Sequence, residues 1–269
     1  MSEVSIAMSS TGFKFPAHVG VIEALDEAGL KAIELSGSSG GALIAGLYAT
    51  GVPTHSISEW ALKTSWLDFF EVSPLALLSG GLVDLSGFIK HLDQMMYGAR
   101  LGDLSVDLKI TACDMNTHSQ VILSKETFPR MKVAEAVGAS IAIPVLFTPL
   151  KYCGMTLSDG AIMNTMPSNL LTNLEVPRLA ARVTYPEIHH AAGEVSAPWW
   201  IAKRALYMMV DRGNSWAVNH HAQEQGIQLV DIDTGFTDGL HFLMPHSVRD
   251  RLRVVGLEST ARVLAKKGV

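Results

Sequence analysis

The chain has 269 residues, 48% of them hydrophobic and only 17% charged, so it can bury one sizeable core and is more apolar than an ordinary soluble protein. A formal charge of -5 and the lack of any run of Lys or Arg exclude a basic footprint for nucleic acid. Two cysteines, Cys113 and Cys153, are too few for a disulfide framework and stand in no metal-ligand spacing. They read as reduced, mostly buried thiols of a cytoplasmic protein. The first ten residues carry no basic segment followed by an apolar one, so no signal peptide is expected.

In chain order, residues 4–8 read as a strand. After "SSTGFKFP" a helix begins near Pro16, carries Ala17, Val21, Ala24 and Ala28 on one face, and stops at Gly29. A short strand at 32–35 feeds "GSSGG" and then a helix over 42–49. Further helices are expected at 85–96, 131–140, 199–211 and 247–266, and strands at 108–113, 121–124, 179–183 and 227–232. Cys153-Gly154 has the look of a hairpin turn, with a strand at 155–157 and a turn at Asp159-Gly160-Ala161. Strands alternating with helices give an α/β fold, a sheet covered by helices. No repeat, low-complexity tract or linker divides the chain, so residues 1–269 are read as a single domain. The longest uncharged apolar run, 40–53, falls short of the roughly 20 residues that cross a bilayer.

The stretch "LSGSSGGALIAGLYATG" at 35–51 thus sits at a strand-to-helix turn. It satisfies Gly-x-Ser-x-Gly only with Ser39 at the centre, between Gly37 and Gly41. Such a turn lifts a hydroxyl out of the sheet and aims a helix N-terminus at it, which favours developing negative charge. Small residues also gather wherever a helix packs closely on a sheet, so spacing alone leaves nucleophile and structural turn both open. A phosphate loop requires a lysine after the glycines, and none follows. A histidine-dependent triad finds no obvious base: His220 and His221 lie in a polar helical segment, and His241 and His246 flank a proline-containing loop.

Four ordered segments together resemble the patatin-like phospholipase family. They are "IAMSSTGFKFPAHVGVIEAL", "SGSSGGALIAG", "ITACDMNTHSQVIL", and the pair "ASIAIPVLF" and "LSDGAIMNTMP", covering most of the first 175 residues. The resemblance implies a three-layer sandwich with a mostly parallel central sheet. It also implies a Ser-Asp dyad, with Ser39 as nucleophile and Asp159 as the base that takes its proton, and neither a metal nor a cofactor. The backbone N–H groups of Ser10, Thr11 and Gly12, with that of Gly40, are implied as the oxyanion hole. Activity is implied to be lipid or carboxylic ester hydrolysis through an acyl-enzyme, on a lipid or small ester, with contact to a membrane surface from outside. The alternatives are a catalytically weak member that binds lipid or a protein, and an acyltransferase.

Where the family has Gly-Gly-Gly-x-Arg/Lys-Gly, this chain has Ser10-Thr11-Gly12-Phe13-Lys14-Phe15. A positive φ at Thr11 would cost about 1–3 kcal/mol. A carboxylate base also predicts activity persisting below the range near 6.5 where a histidine protonates. The stretches "VSPLALLSGGLVD" and "PWWIAKRALYMMVDRGNSW" are expected to be core or, in a lipid hydrolase, to line an acyl channel.

Overall fold

The computed structural model describes residues 2–65, 69, 71–72, 80–184, 226–241 and 243–267, together with 201, 204, 205, 207, 208, 210, 212 and 213. Most of the helix expected at 199–211, much of both apolar stretches, and His220 and His221 lie outside the described residues.

The chain begins with strand β1 (Ser2–Met8), helix α1 (Pro16–Glu27), strand β2 (Leu30–Ser38) and helices α2 (Gly40–Ala49) and α3 (Thr54–Lys63). Strands β3 (Glu71–Val72) and β4 (Gly81–Asp84), helix α4 (Ser86–Met95), and strands β5 (Asp107–Asp114) and β6 (Ser119–Leu123) follow. Then come helix α5 (Val133–Ser140) and strands β7 (Val145–Phe147), β8 (Leu150–Tyr152), β9 (Met155–Asp159), β10 (Arg178–Val183) and β11 (Gln228–Ile232), before helix α6 (His246–Lys267).

Eight strands form the main sheet in the order β11-β10-β1-β2-β5-β9-β8, with β6 also paired to β5. From β11 to β5 every pairing is parallel; the pairings β5-β9, β9-β8 and β5-β6 are antiparallel. This is the mixed α/β architecture the alternation of elements predicts, a mostly parallel sheet flanked by helices. Val4, Ile6, Ala7 and Met8 of β1 are all fully buried, as a strand covered on both faces must be. The small sheet β3-β4-β7 and helix α3 have no counterpart in the sequence reading. The two- to four-residue strands of that sheet are too short to show a period.

Helices α1 and α6 cross backbone to backbone. A Cβ added to Gly20 would lie 1.9 Å from the Arg253 carbonyl oxygen, and one added to Gly256 would lie 1.9 Å from that of Ala17. The salt bridge from Arg253 to Glu23, 2.8 Å, fixes the same crossing. The hairpin at Cys153-Gly154 is present between β8 and β9, both residues having positive φ as the tightest hairpin turn demands. Cys153 is therefore exposed, contrary to the expected burial, while Cys113 is buried; both are free thiols.

Register decides what meets at the C-terminal edge of the sheet. Ser38 of β2 is paired with Thr111 of β5, and on the other side of β5 Ala112 is paired with Asp159 of β9. The end of β2 and the end of β9 thus stand level, flanking β5.

Candidate active site

Strand β2 runs to Ser38, longer than the 32–35 expected, and α2 starts at Gly40. Ser39 is the single residue between them, with φ 50° and ψ -121°. A side chain in that region carries about 1–3 kcal/mol of strain and persists only where its surroundings enforce it. The enforcement is visible. A Cβ on Gly37 would lie 2.6 Å from the Ala42 Cα, and one on Gly41 would lie 2.3 Å from the Met8 carbonyl oxygen. Both positions therefore require glycine for close approach, at the spacing the sequence displays. The Ser39 N–H donates to the Ser140 hydroxyl at 2.9 Å, which ties the turn to the end of α5.

The Ser39 hydroxyl donates to Asp159 Oδ2 at 2.7 Å. The second carboxylate oxygen, Oδ1, accepts the Ala161 N–H at 2.8 Å, and the Asp159 N–H is held by the Ala142 carbonyl at 3.0 Å. Gly160 lets the chain turn beneath β5, since a Cβ there would lie 2.2 Å from the Thr111 carbonyl oxygen. Ser39 and Asp159 are only 3% and 4% exposed. Burial pushes the Asp159 carboxyl up to about 7, against the Ala161 N–H and the Ser39 hydroxyl, which favour the carboxylate. The carboxyl thus stands in the range of a histidine and not below it, so the acid tolerance expected of a carboxylate base has no support in its environment.

The loop after β1 differs from expectation in two ways. The Ser10 N–H is donated to the Thr165 carbonyl at 2.7 Å, so it is already spent and does not serve a substrate oxygen. Thr11 has φ -137°, outside the left-handed region, so the anticipated strain does not arise. The positive φ, 57°, falls on Gly12, where a Cβ would also lie 2.3 Å from the Gly239 carbonyl oxygen. The Thr11 side chain packs on the start of α2: its Oγ1 lies 2.1 Å from where a Cβ on Gly40 would be, and it donates to the Gly12 carbonyl at 3.1 Å. Thr11 thus locks the loop to the serine turn.

Two further residues of this loop region, Lys14 and His18, stand in the quoted segments, but the sequence assigns neither of them a partner. His18 is fully buried, and burial holds its ring down at about 4, so it is neutral and its Nε2–H donates to the Ser9 carbonyl at 2.8 Å. It precedes Val19-Gly20-Val21 in the first quoted segment, but its partner is set only by the fold. Lys14 is also fully buried, with Nζ donating to the Thr184 carbonyl at 2.8 Å and to Thr234 Oγ1 at 2.7 Å. Burial lowers its ammonium to about 7, opposed by Asp238 and Asp233.

Two cavities open on Ser39. The first, about 450 Å³ with its open mouth counted, is apolar, lined by Phe13, Phe15, Leu43, Leu85, Phe88 and Phe147 together with Gly12, Ser39 and Gly40. The second, about 340 Å³, is lined by Ser10, Asp159, Ala161, Tyr207, Val210 and Leu240, and shares Gly12, Ser39 and Ile143 with the first. Tyr207 donates to the Asp238 carboxylate, which also accepts the Leu240 N–H at 2.8 Å. Among the described residues no histidine lines either cavity, and no three His, Cys, Asp or Glu side chains gather as metal ligands do. His241 is exposed.

A serine raised on a strained strand-to-helix turn of an α/β sheet is the arrangement of the ester hydrolases built around a nucleophile elbow. The chain belongs to the patatin-like phospholipase family, whose sequence model matches residues 6–171. An uncharacterized NTE family protein of Mycobacterium tuberculosis is 27% identical over 164 residues, 61% of this chain and 44% of that protein. Neuropathy target esterase of Drosophila melanogaster is 23% identical over 185 residues, 67% of this chain and 13% of that protein. The chain therefore spans less than half the length of these relatives. Among solved structures, VipD from Legionella pneumophila matches with a TM-score of 0.58 and 16% identity, over 98% of this chain and 67% of that one, a likeness of fold. Among the described residues no helix is long and apolar enough to cross a membrane.

Proposed function

We propose that the protein hydrolyses carboxylic esters of lipids through an acyl-enzyme, with Ser39 as nucleophile and Asp159 as the base. The observation that carries this reading is the 2.7 Å hydrogen bond from the strained Ser39 hydroxyl to Asp159 Oδ2, at a carboxyl that burial holds near neutrality. As Ser39 Oγ attacks the ester carbonyl, its proton passes to Asp159. The carbonyl oxygen becomes an oxyanion, for which the N–H groups of Gly12 and Gly40, both lining the first cavity, and of Thr11 are the donors we assign. Collapse breaks the bond to the alcohol oxygen, which takes the proton from Asp159. A water then gives its proton to Asp159, attacks the acyl carbon and releases the acid, restoring Ser39.

Membership of a phospholipase family and the wholly apolar first cavity support a lipid ester as substrate. The reading of a catalytically weak binder drew on the altered first loop; Thr11 at φ -137° takes away the backbone strain expected there, while the Ser10 N–H is spent on the Thr165 carbonyl. A fluorophosphonate should label the wild-type protein, and Ser39→Ala should abolish both labelling and ester turnover. The adjacent Ser38→Ala should remain labelled. Equal labelling of wild type and Ser39→Ala would overturn the assignment.

A further inference from the structure

The two cavities that meet at Ser39 are not equivalent, and their difference orients the substrate. Gly12 and Ser39 line both, but Gly40 lines only the first and Asp159 only the second. We infer, on the reading that Ser39 attacks an ester, that the acyl chain lies in the first cavity, the alcohol in the second, and Phe88 limits the acyl length.

The chemistry fixes the orientation. When the tetrahedral adduct collapses, the bond from carbon to alcohol oxygen breaks and the departing oxygen must receive the proton that Asp159 took from Ser39. It therefore has to come within about 2.6–3.2 Å of that carboxyl, on the side where Asp159 is accessible. The oxyanion points to the N–H groups at the start of α2, and the remaining substituent of the same carbon, the acyl chain, is left with the first cavity. Leu43, one turn along α2 from Ser39 and bonded to its carbonyl at 3.1 Å, forms part of the wall beside the attacked carbon.

The aromatic lining is packed on itself. Phe15 and Phe88, 3% and 4% exposed, both pack on Trp60 at ring separations of 6.1 and 6.3 Å. Trp60 is itself anchored by its Nε1–H donating to His91 Nε2 at 3.0 Å, and Phe69 packs edge-on to Phe88 at 5.7 Å. Phe88 and Leu43 both line this apolar cavity, so emptying or filling it at either residue changes the room left for an acyl chain.

The test uses alkyl fluorophosphonates that bear chains of two to sixteen carbons on phosphorus, with inactivation rate as the readout, alongside nitrophenyl esters of the same lengths. Wild type should show an optimum chain length, which fixes the reference for the variants. Phe88→Ala should move the optimum to longer chains, and Leu43→Phe, which fills the cavity without emptying the core, should move it to shorter ones. Leu240→Ala, in the other cavity, should leave the acyl-length profile in place. An unchanged optimum in folded Leu43→Phe and Phe88→Ala, or an optimum moved by Leu240→Ala, overturns the orientation while Ser39-dependent labelling by the two-carbon probe keeps the hydrolase reading. Failure of that short probe to label Ser39 removes both.

Discussion

Replacing Asp159 by asparagine should make the protein more stable and inactive at once, and the stability gain should depend on pH. In the unfolded chain the carboxyl titrates near its ordinary value of 3.8, and in the folded protein burial raises it to about 7. The folded state therefore holds this proton more tightly than the unfolded one. Stability contributed by the group is fully present below about pH 4 and is lost as pH rises through about 7. The gap of about three pH units, at about 1.4 kcal/mol each, amounts to about 4 kcal/mol of destabilisation at pH 8. Asparagine has the same shape. Its carbonyl oxygen can accept the Ala161 N–H, and its amide can donate to the Ser39 hydroxyl, so no polar atom is orphaned. The difference in melting temperature between Asp159→Asn and wild type should be near zero at pH 4 and grow to about 8 °C at pH 8, at about 2 °C per kcal/mol for a chain of this size. All other titrating groups are common to both proteins and cancel in the difference. A gain that is the same at pH 4 and pH 8, or a loss at pH 8, would refute the claim that burial of an ionised Asp159 is what the fold tolerates for the sake of the site.

The pH dependence of kcat/KM on a short ester should show an acid limb with a midpoint of about 7, because Asp159 must be ionised to take the proton; a midpoint near 4 would mean the carboxyl is not desolvated as the structure has it. Gly41→Ala places a Cβ 2.3 Å from the Met8 and 2.5 Å from the Ser9 carbonyl oxygens, both backbone atoms that cannot swing away. Thermal denaturation should show a loss of several kcal/mol or no folded protein, and a near-normal melting temperature would contradict the packing of the elbow on β1. Gly40→Ala meets first the movable Thr11 Oγ1, at 2.1 Å, and then the Gly12 carbonyl oxygen at 2.8 Å. The double variant Thr11→Gly with Gly40→Ala should therefore recover part of the stability lost by Gly40→Ala alone, a coupling of about 0.5–3 kcal/mol in a double-mutant cycle; strict additivity would show that the two do not touch.

What the sequence determines here is local. The glycines at 37 and 41 around Ser39, set between an apolar strand and an apolar helix, already specify a turn that only those residue types can enter, and Cys153-Gly154 between two β-like runs specifies its hairpin. The positions of Ser39 and Asp159 could be picked out by pattern, but their meeting could not, because they lie 120 residues apart and are brought together by both strands pairing to β5 in one register and by bonds to Ser140 and Ala142 at the end of α5. The first loop shows the same division. Its sequence marked residues 10–12 as candidate oxyanion donors, yet which N–H groups remain for a substrate depends on Thr165, whose carbonyl takes that of Ser10. Which residue needs a positive φ depends on Gly239, which crowds Gly12 and leaves Thr11 unstrained. The charge state of Asp159 belongs wholly to the tertiary structure: an aspartate beside a glycine is an ordinary turn residue until the packing of β5, α2 and the first loop removes water from around it and shifts its proton equilibrium to about 7.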